Sequence, residues 1–163
     1  MPATPPRSRR DVFRVDVIGR PASCELSERE IVNLIQRARR EIAAHPALRR
    51  KAHRQLRSAT SLQLAVMGRA KMQKLNGDFR GADKATDILS FAATEPGSLG
   101  ELALCWPVIR AQARAHAHSV KAECFYMLAH GLLHLLGYDH EATQAEARRM
   151  FKIQDEIFAR AKF

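Results

Sequence analysis

Three histidines stand close together toward the C-terminal end of the chain, His130, His134 and His140 in the run HGLLHLLGYDH. His130 and His134 are four residues apart in a stretch of helical spacing, so their imidazoles fall one turn apart on one helix face. Gly137 is the natural terminator, because it takes the left-handed conformation that reverses a chain. Reversal there brings His140 back toward the two helical rings. Three neutral imidazoles on one side of a cation make a three-nitrogen set with an open position, as in catalytic zinc sites; structural zinc usually has all four positions filled. The spacing therefore predicts one zinc ion per chain, held by His130, His134 and His140 and used for hydrolysis. His45, His53, His116 and His118 show no such spacing and are taken as ordinary core or surface histidines.

This differs from the helix of zinc peptidases. In His-Glu-x-x-His, the Glu beside the first ligand is the general base. Here that position is Gly131, which offers no side chain. The metal frame is zincin-like, but the chemistry disfavours peptide hydrolysis.

The substrate class follows from charge. The formal net charge is +10 and the pI about 10.3 over 163 residues. Charge of that size attracts polyanions, nucleic acid first and anionic membrane surface second. No run reaches the ~18 apolar residues of a membrane span, and MPATPPRSRR has no apolar stretch behind it, so a cytoplasmic location is expected. Cys24, Cys105 and Cys124 are scattered and odd in number, as in a reducing compartment, and read as small buried hydrophobes.

The elements that must position the histidines can be traced along the chain. Residues 1–10 are Pro- and Arg-rich and are expected to be a disordered basic N-terminus; residues 11–163 are expected to be a single domain. Val12 to Ile18 reads as a first strand, and Ser27 with Glu30 as a capping box opening a helix whose apolar face is Ile31, Leu34, Ile35, Ala38 and Ile42. SLQLAVM, Ser61 to Met67, alternates as a second strand. Ala70 to Leu75 is a short helical piece running into a loop, Asn76 to Lys84. Asp87–Phe91 and Gly100–Trp106 are further strands, joined by a connection short enough for an antiparallel pair. Helices are expected over Pro107–Ala117, Val120–Leu136 and Ala142–Ala161. The sum is an α+β domain, a small mixed four-stranded sheet covered by helices, one of which carries the metal.

HGLLHLLGYDH resembles the histidine block of the YbeY family of single-strand endoribonucleases and ribosomal RNA maturation factors. Two further blocks resemble the family in the same order. Leu75 to Phe91, LNGDFRGADKATDILSF, matches its run of Leu-Asn, an aromatic-Arg pair, Asp-Lys-Pro-Thr-Asp and an apolar strand ending Ser-Phe; Leu99-Gly100-Glu101 falls where Leu-Gly-Asp is usual. Ala85 and Ala92 stand where the family has Pro, and Glu101 where it has Asp; none is a metal ligand. The resemblance covers Ser61 to Phe163. It implies zinc on the three histidines, a functional Arg80 near the metal, and work on ribosomal RNA: maturation of the small-subunit 3′ end, and ribosome quality control. Single-stranded RNA, ribosomal RNA and the small ribosomal subunit are the implied partners.

Phosphodiester cleavage builds negative charge on phosphoryl oxygens, and the forked guanidinium of Arg80 suits that charge. No residue stands out as general base, and water and the RNA 2′-OH both remain as nucleophiles. Between Arg37 and Arg57 lie eight Lys or Arg against Glu41 alone. Arg50, Arg54 and Arg57 would align on a helix after Pro46 as a strip for RNA phosphates. Two other functions stay open, a divergent metallopeptidase-like hydrolase and a non-catalytic zinc-containing ribosome-assembly factor.

Overall fold

The computed structural model describes residues 12–163, so the N-terminal segment 1–10 lies outside the described residues. In chain order the elements are β1 (Arg14–Ile18), α1 (Glu28–Ala43), α2 (Arg50–Ser58), β2 (Ser61–Met67), α3 (Arg69–Arg80), β3 (Ile88–Ala92), β4 (Ser98–Cys105), α4 (Trp106–Ala115), α5 (Val120–Leu135) and α6 (Gln144–Ala161). The sheet has the order β1-β2-β4-β3. β2 runs parallel to both β1 and β4, while β3 lies antiparallel to β4, so the sheet is mixed and four-stranded as expected.

Period-2 alternation decides what each face meets. Leu62, Leu64 and Val66 of β2 are buried in the main core with Ile31, Ile35 and Ile42 of α1 and Leu128 and Leu132 of α5. Leu89, Ala103 and Cys105 point to the other face and pack on Met72 of α3. α1 starts where its capping box predicts: Ser27 Oγ accepts from Glu30 N–H, and Glu30 Oε2 accepts from Ser27 N–H. The helix that carries the histidines, α5, is the most enclosed, with Cys124, Phe125, Leu128, Ala129, Leu132 and Leu133 all fully buried. Gly131 lets it sit close to the sheet. A Cβ there would lie 2.7 Å from Ile88 Cδ1 and 2.9 Å from Leu102 Cδ2.

One expectation is corrected. Asn76, Gly77 and Asp78 are turn-forming residues, and 76–84 reads as a loop from the sequence. In the structure α3 continues through them to Arg80. Met72 and Asn76, one turn apart, are both buried, and Asn76 Nδ2 donates to Lys84 O at 2.8 Å. That anchoring outweighs the poor helix propensity of the run. Gly81, at φ +69°, then stops the helix one residue after Arg80. The strand boundary at Trp106 also shifts: its indole is buried at the start of α4.

Candidate metal centre

Past Leu136 the chain reverses as expected. Gly137 adopts φ +88°, its N–H donates to His134 O, and the N–H of Tyr138 donates to Leu133 O, the paired bonds of a Schellman cap. This turn returns His140 to the helix face. His134 Nε2 lies 3.1 Å from His130 Nε2 and 3.0 Å from His140 Nδ1. The ring centroids are 4.7, 5.0 and 5.0 Å apart, close to an equilateral triangle. Tyr138 and Asp139 build the turn. The Tyr138 hydroxyl accepts from Arg49 N–H at 3.0 Å, and Asp139 Oδ1 accepts from Glu141 N–H at 2.9 Å.

A buried amide fixes which nitrogen of His130 faces inward. Gln154 of α6 donates its Nε2 to the carbonyl of Tyr126, which only accepts, so its Oε1 must face the ring. That Oε1 lies 3.0 Å from His130 Nδ1, which therefore carries the proton and leaves Nε2 with a lone pair directed at His134 and His140. Burial lowers the pKa of His130, with the Gln154 bond opposing it and His140 adding to it. Burial, then His130 and His140, depress His134 to about 4. Burial thus favours the uncharged forms of His130 and His134, and uncharged ring nitrogens at such spacing offer one another too few protons. The donor set fits a cation that accepts three imidazole lone pairs.

The three rings line a cleft of about 700 Å³. Arg80 lines it too, from the end of α3 rather than from a loop, with Nη2 4.0 Å from Glu141 Oε2 and its charge felt at His134. Beside it Phe79 is 67% exposed and meets Phe91 edge-on, with centroids 5.0 Å apart. Glu101 is exposed on β4 and does not line this cleft. Arg50, Arg54 and Arg57 lie exposed along α2, away from the cleft lining, and pair with no acid among the described residues. Other cations of the basic segment are engaged: Arg49 pairs with Glu146, Arg37 bonds Ala161 O, and Arg39 covers the Phe13 ring. α2 reaches the centre's back, where Gln55 Nε2 donates to Leu135 O at 2.9 Å.

Sequence reasoning missed several residues here. Gln154 and Phe151, three apart on α6, show no motif that would single them out. Phe151 walls the site, 6.3 Å from His130 and 5.6 Å from His140, centroid to centroid. His116 and His118 also do more than expected, since they converge with Glu123. Their signal was the pair itself, two residues apart and close to a helix start.

Gly131 bears on the peptidase alternative. A side chain there would run into Ile88 and Leu102, so the position next to His130 is closed to a catalytic carboxylate as the backbone stands.

Comparison with known proteins agrees on one family. Residues 22–162 match the family described as Endoribonuclease YbeY. A protein of that name from Bdellovibrio bacteriovorus is 47% identical over 110 residues, covering 68% of this chain and 73% of its own length. Namesakes from Chloroflexus aurantiacus and an Anaeromyxobacter species are each 43% identical. The first match covers 53% of this chain and 64% of the relative; the second covers 69% and 66%. The solution structure of a Thermotoga maritima protein shares the fold, with TM-score 0.58, 23% identity and coverage of 89% of this chain and 87% of that one.

Proposed function

The chain belongs to the YbeY endoribonuclease family, and on that premise we propose that it is a zinc-dependent endoribonuclease of the cytoplasm acting on single-stranded RNA. Its setting is ribosomal RNA, in maturation of the 3′ end of the small-subunit RNA and in ribosome quality control.

One observation carries the reading: three imidazoles converge, with His134 Nε2 3.1 Å from His130 Nε2 and 3.0 Å from His140 Nδ1, in a cleft that a guanidinium also lines. Zinc suits three imidazoles with an open position, and when bound it would supply Lewis acidity toward a phosphoryl oxygen or the attacking group. The chain's own residues do the rest. Gln154 holds His130 in one tautomer. Arg80 offers two parallel N–H donors to the non-bridging oxygens as charge develops on them. Phe79, its ring braced by Phe91, presents a face on which an unpaired base stacks, a contact worth roughly 1–3 kcal/mol. A duplex keeps its bases stacked inside and cannot use that face, which favours single strands.

The test is product chemistry. Full-length protein from a nuclease-deficient host is incubated with single-stranded RNA, duplex RNA of the same sequence, and an unstructured protein substrate. Cleavage of the single strand alone, with uniform end groups, is expected. Proteolysis without RNA cleavage would instead establish the peptidase alternative, and RNA binding without any cleavage the assembly-factor alternative.

A further inference from the structure

A second group of metal-ligating side chains stands two helical turns before the first: His116 and Glu123 line the same cleft, and His118 reaches Glu123 from a neighbouring pocket. Glu123 precedes His130 by seven residues on α5, so the two share a face and stand on the order of 10 Å apart along the axis. Glu123 is fully buried. Its Oε2 lies 3.0 Å from His118 Nδ1 and 3.2 Å from His116 Nδ1. His116 ends α4 and His118 precedes Ser119, the N-cap of α5. Ala117 between them takes φ +54°, which turns both imidazoles onto one carboxylate. The two ring nitrogens and the carboxylate oxygen all lie within 4.8 Å of one another.

Two oxygens at this end of the cleft are left over. Glu123 Oε1 is buried without a hydrogen-bond partner. Gln112, one turn before His116 on α4, is in the same position: its Nε2 donates to Asp87 Oδ2 at 3.0 Å, and its Oε1 is buried and unpartnered. A buried carboxylate is costly unless its charge is met and its lone pairs are used. Two imidazoles donating protons account for Oε2 and leave both Oε1 atoms bare. A dication on the Glu123 carboxylate would meet its charge and use its second oxygen. Two imidazoles and one carboxylate form a set that first-row divalent metals accept while keeping open positions. His116, half-exposed, leaves the set open to solvent.

We propose that His116, His118 and Glu123 form a second divalent transition-metal site, of the zinc or manganese class, at the far end of the cleft from the three histidines. Two ions that clamp one reacting phosphoryl group sit about 3.5–4 Å apart. The present spacing is far longer, so an ion here grips a neighbouring phosphate of the same strand. That role rests on the ribonuclease reading, whereas the site itself does not.

The test is metal stoichiometry, which needs no activity. Metal-stripped wild type, His134→Ala, His116→Ala and His118→Ala are titrated with zinc and, separately, with manganese, following heat and bound metal, with circular dichroism to verify folding. Two equivalents are expected in wild type with at least one of the metals, and one in each variant. A wild type saturating at one equivalent that His134→Ala alone removes would overturn the second site and leave the first standing. One equivalent lost in His118→Ala and kept in His134→Ala would support this site and remove the metal from the ribonuclease reading. Should His118→Ala misfold, His116→Ala decides, because half of the His116 side chain is exposed to solvent. Two equivalents retained in that variant would refute the assignment.

Discussion

Gln154 Oε1 accepts the Nδ1 proton of His130 at 3.0 Å, so a buried amide on the last helix decides which nitrogen the metal helix presents. Such outer contacts fix ligand tautomers and orientation, and losing one typically costs about 10–100-fold in metal affinity. Gln154→Leu should weaken zinc binding by roughly that factor while His130 remains in place. It should also lower stability by about 1–3 kcal/mol, because the Nδ1–H of His130 loses its acceptor. Competition against a chelator of known affinity reads the first effect and thermal melting the second; unchanged zinc affinity would mean that packing alone orients His130.

Arg80 stands at the end of α3, more than half exposed and paired only loosely with Glu141, so its removal should leave the fold intact. Arg80→Ala is expected to retain zinc and lose roughly a hundredfold or more in cleavage rate. Arg80→Lys should recover only part, since an ammonium cannot reproduce the planar fork. Single-turnover rates on a short single-stranded RNA check this, and a wild-type rate in the Ala variant would return Arg80 to the solvated surface.

A phosphate-tracking strip on α2 would act on affinity rather than chemistry. Each phosphate neutralised on a single strand contributes about 0.7 to the slope of log affinity against log salt. Replacing Arg50, Arg54 and Arg57 together by Gln should flatten that slope by roughly 2 units, if each meets one phosphate. Zinc content should not change, and cleavage of a short saturating oligonucleotide should fall much less than affinity for long RNA. Salt titrations with a labelled long RNA measure it. A wild-type slope in the triple variant would assign these arginines to solubility alone.

How much of this was legible in the sequence depended on whether the signal was local. His130, His134, Gly137 and His140 lie within eleven residues and obey helix and turn geometry, so their convergence could be read directly. The alternation of β2 and the Ser27–Glu30 capping box were legible for the same reason. Asn76 to Arg80 was misassigned because the burial of Met72 and Asn76 comes from the rest of the fold, which local propensity does not record. Gln154 meets His130 across 24 residues. Nothing near either residue in the sequence announces that contact.

Cys24, Cys105 and Cys124 are all buried, and burial is the first cause raising each thiol's pKa. A raised pKa means less thiolate at a given pH, and the thiolate is the reactive form. Native protein at mildly alkaline pH should therefore resist iodoacetamide, with all three sites modified quickly only after denaturation. Mass spectrometry of the time course checks this; rapid native labelling of Cys124 would show that α5 opens locally.

Dependence of RNA cleavage on a metal held by His130, His134 and His140 is measured by assaying single-stranded RNA before metal stripping, after it, and after zinc is restored. His134→Ala, with its fold verified, runs in parallel. Cleavage should be lost on stripping, recovered by zinc in wild type, and absent from His134→Ala at every stage. Wild-type cleavage by stripped protein or by His134→Ala would contradict that dependence.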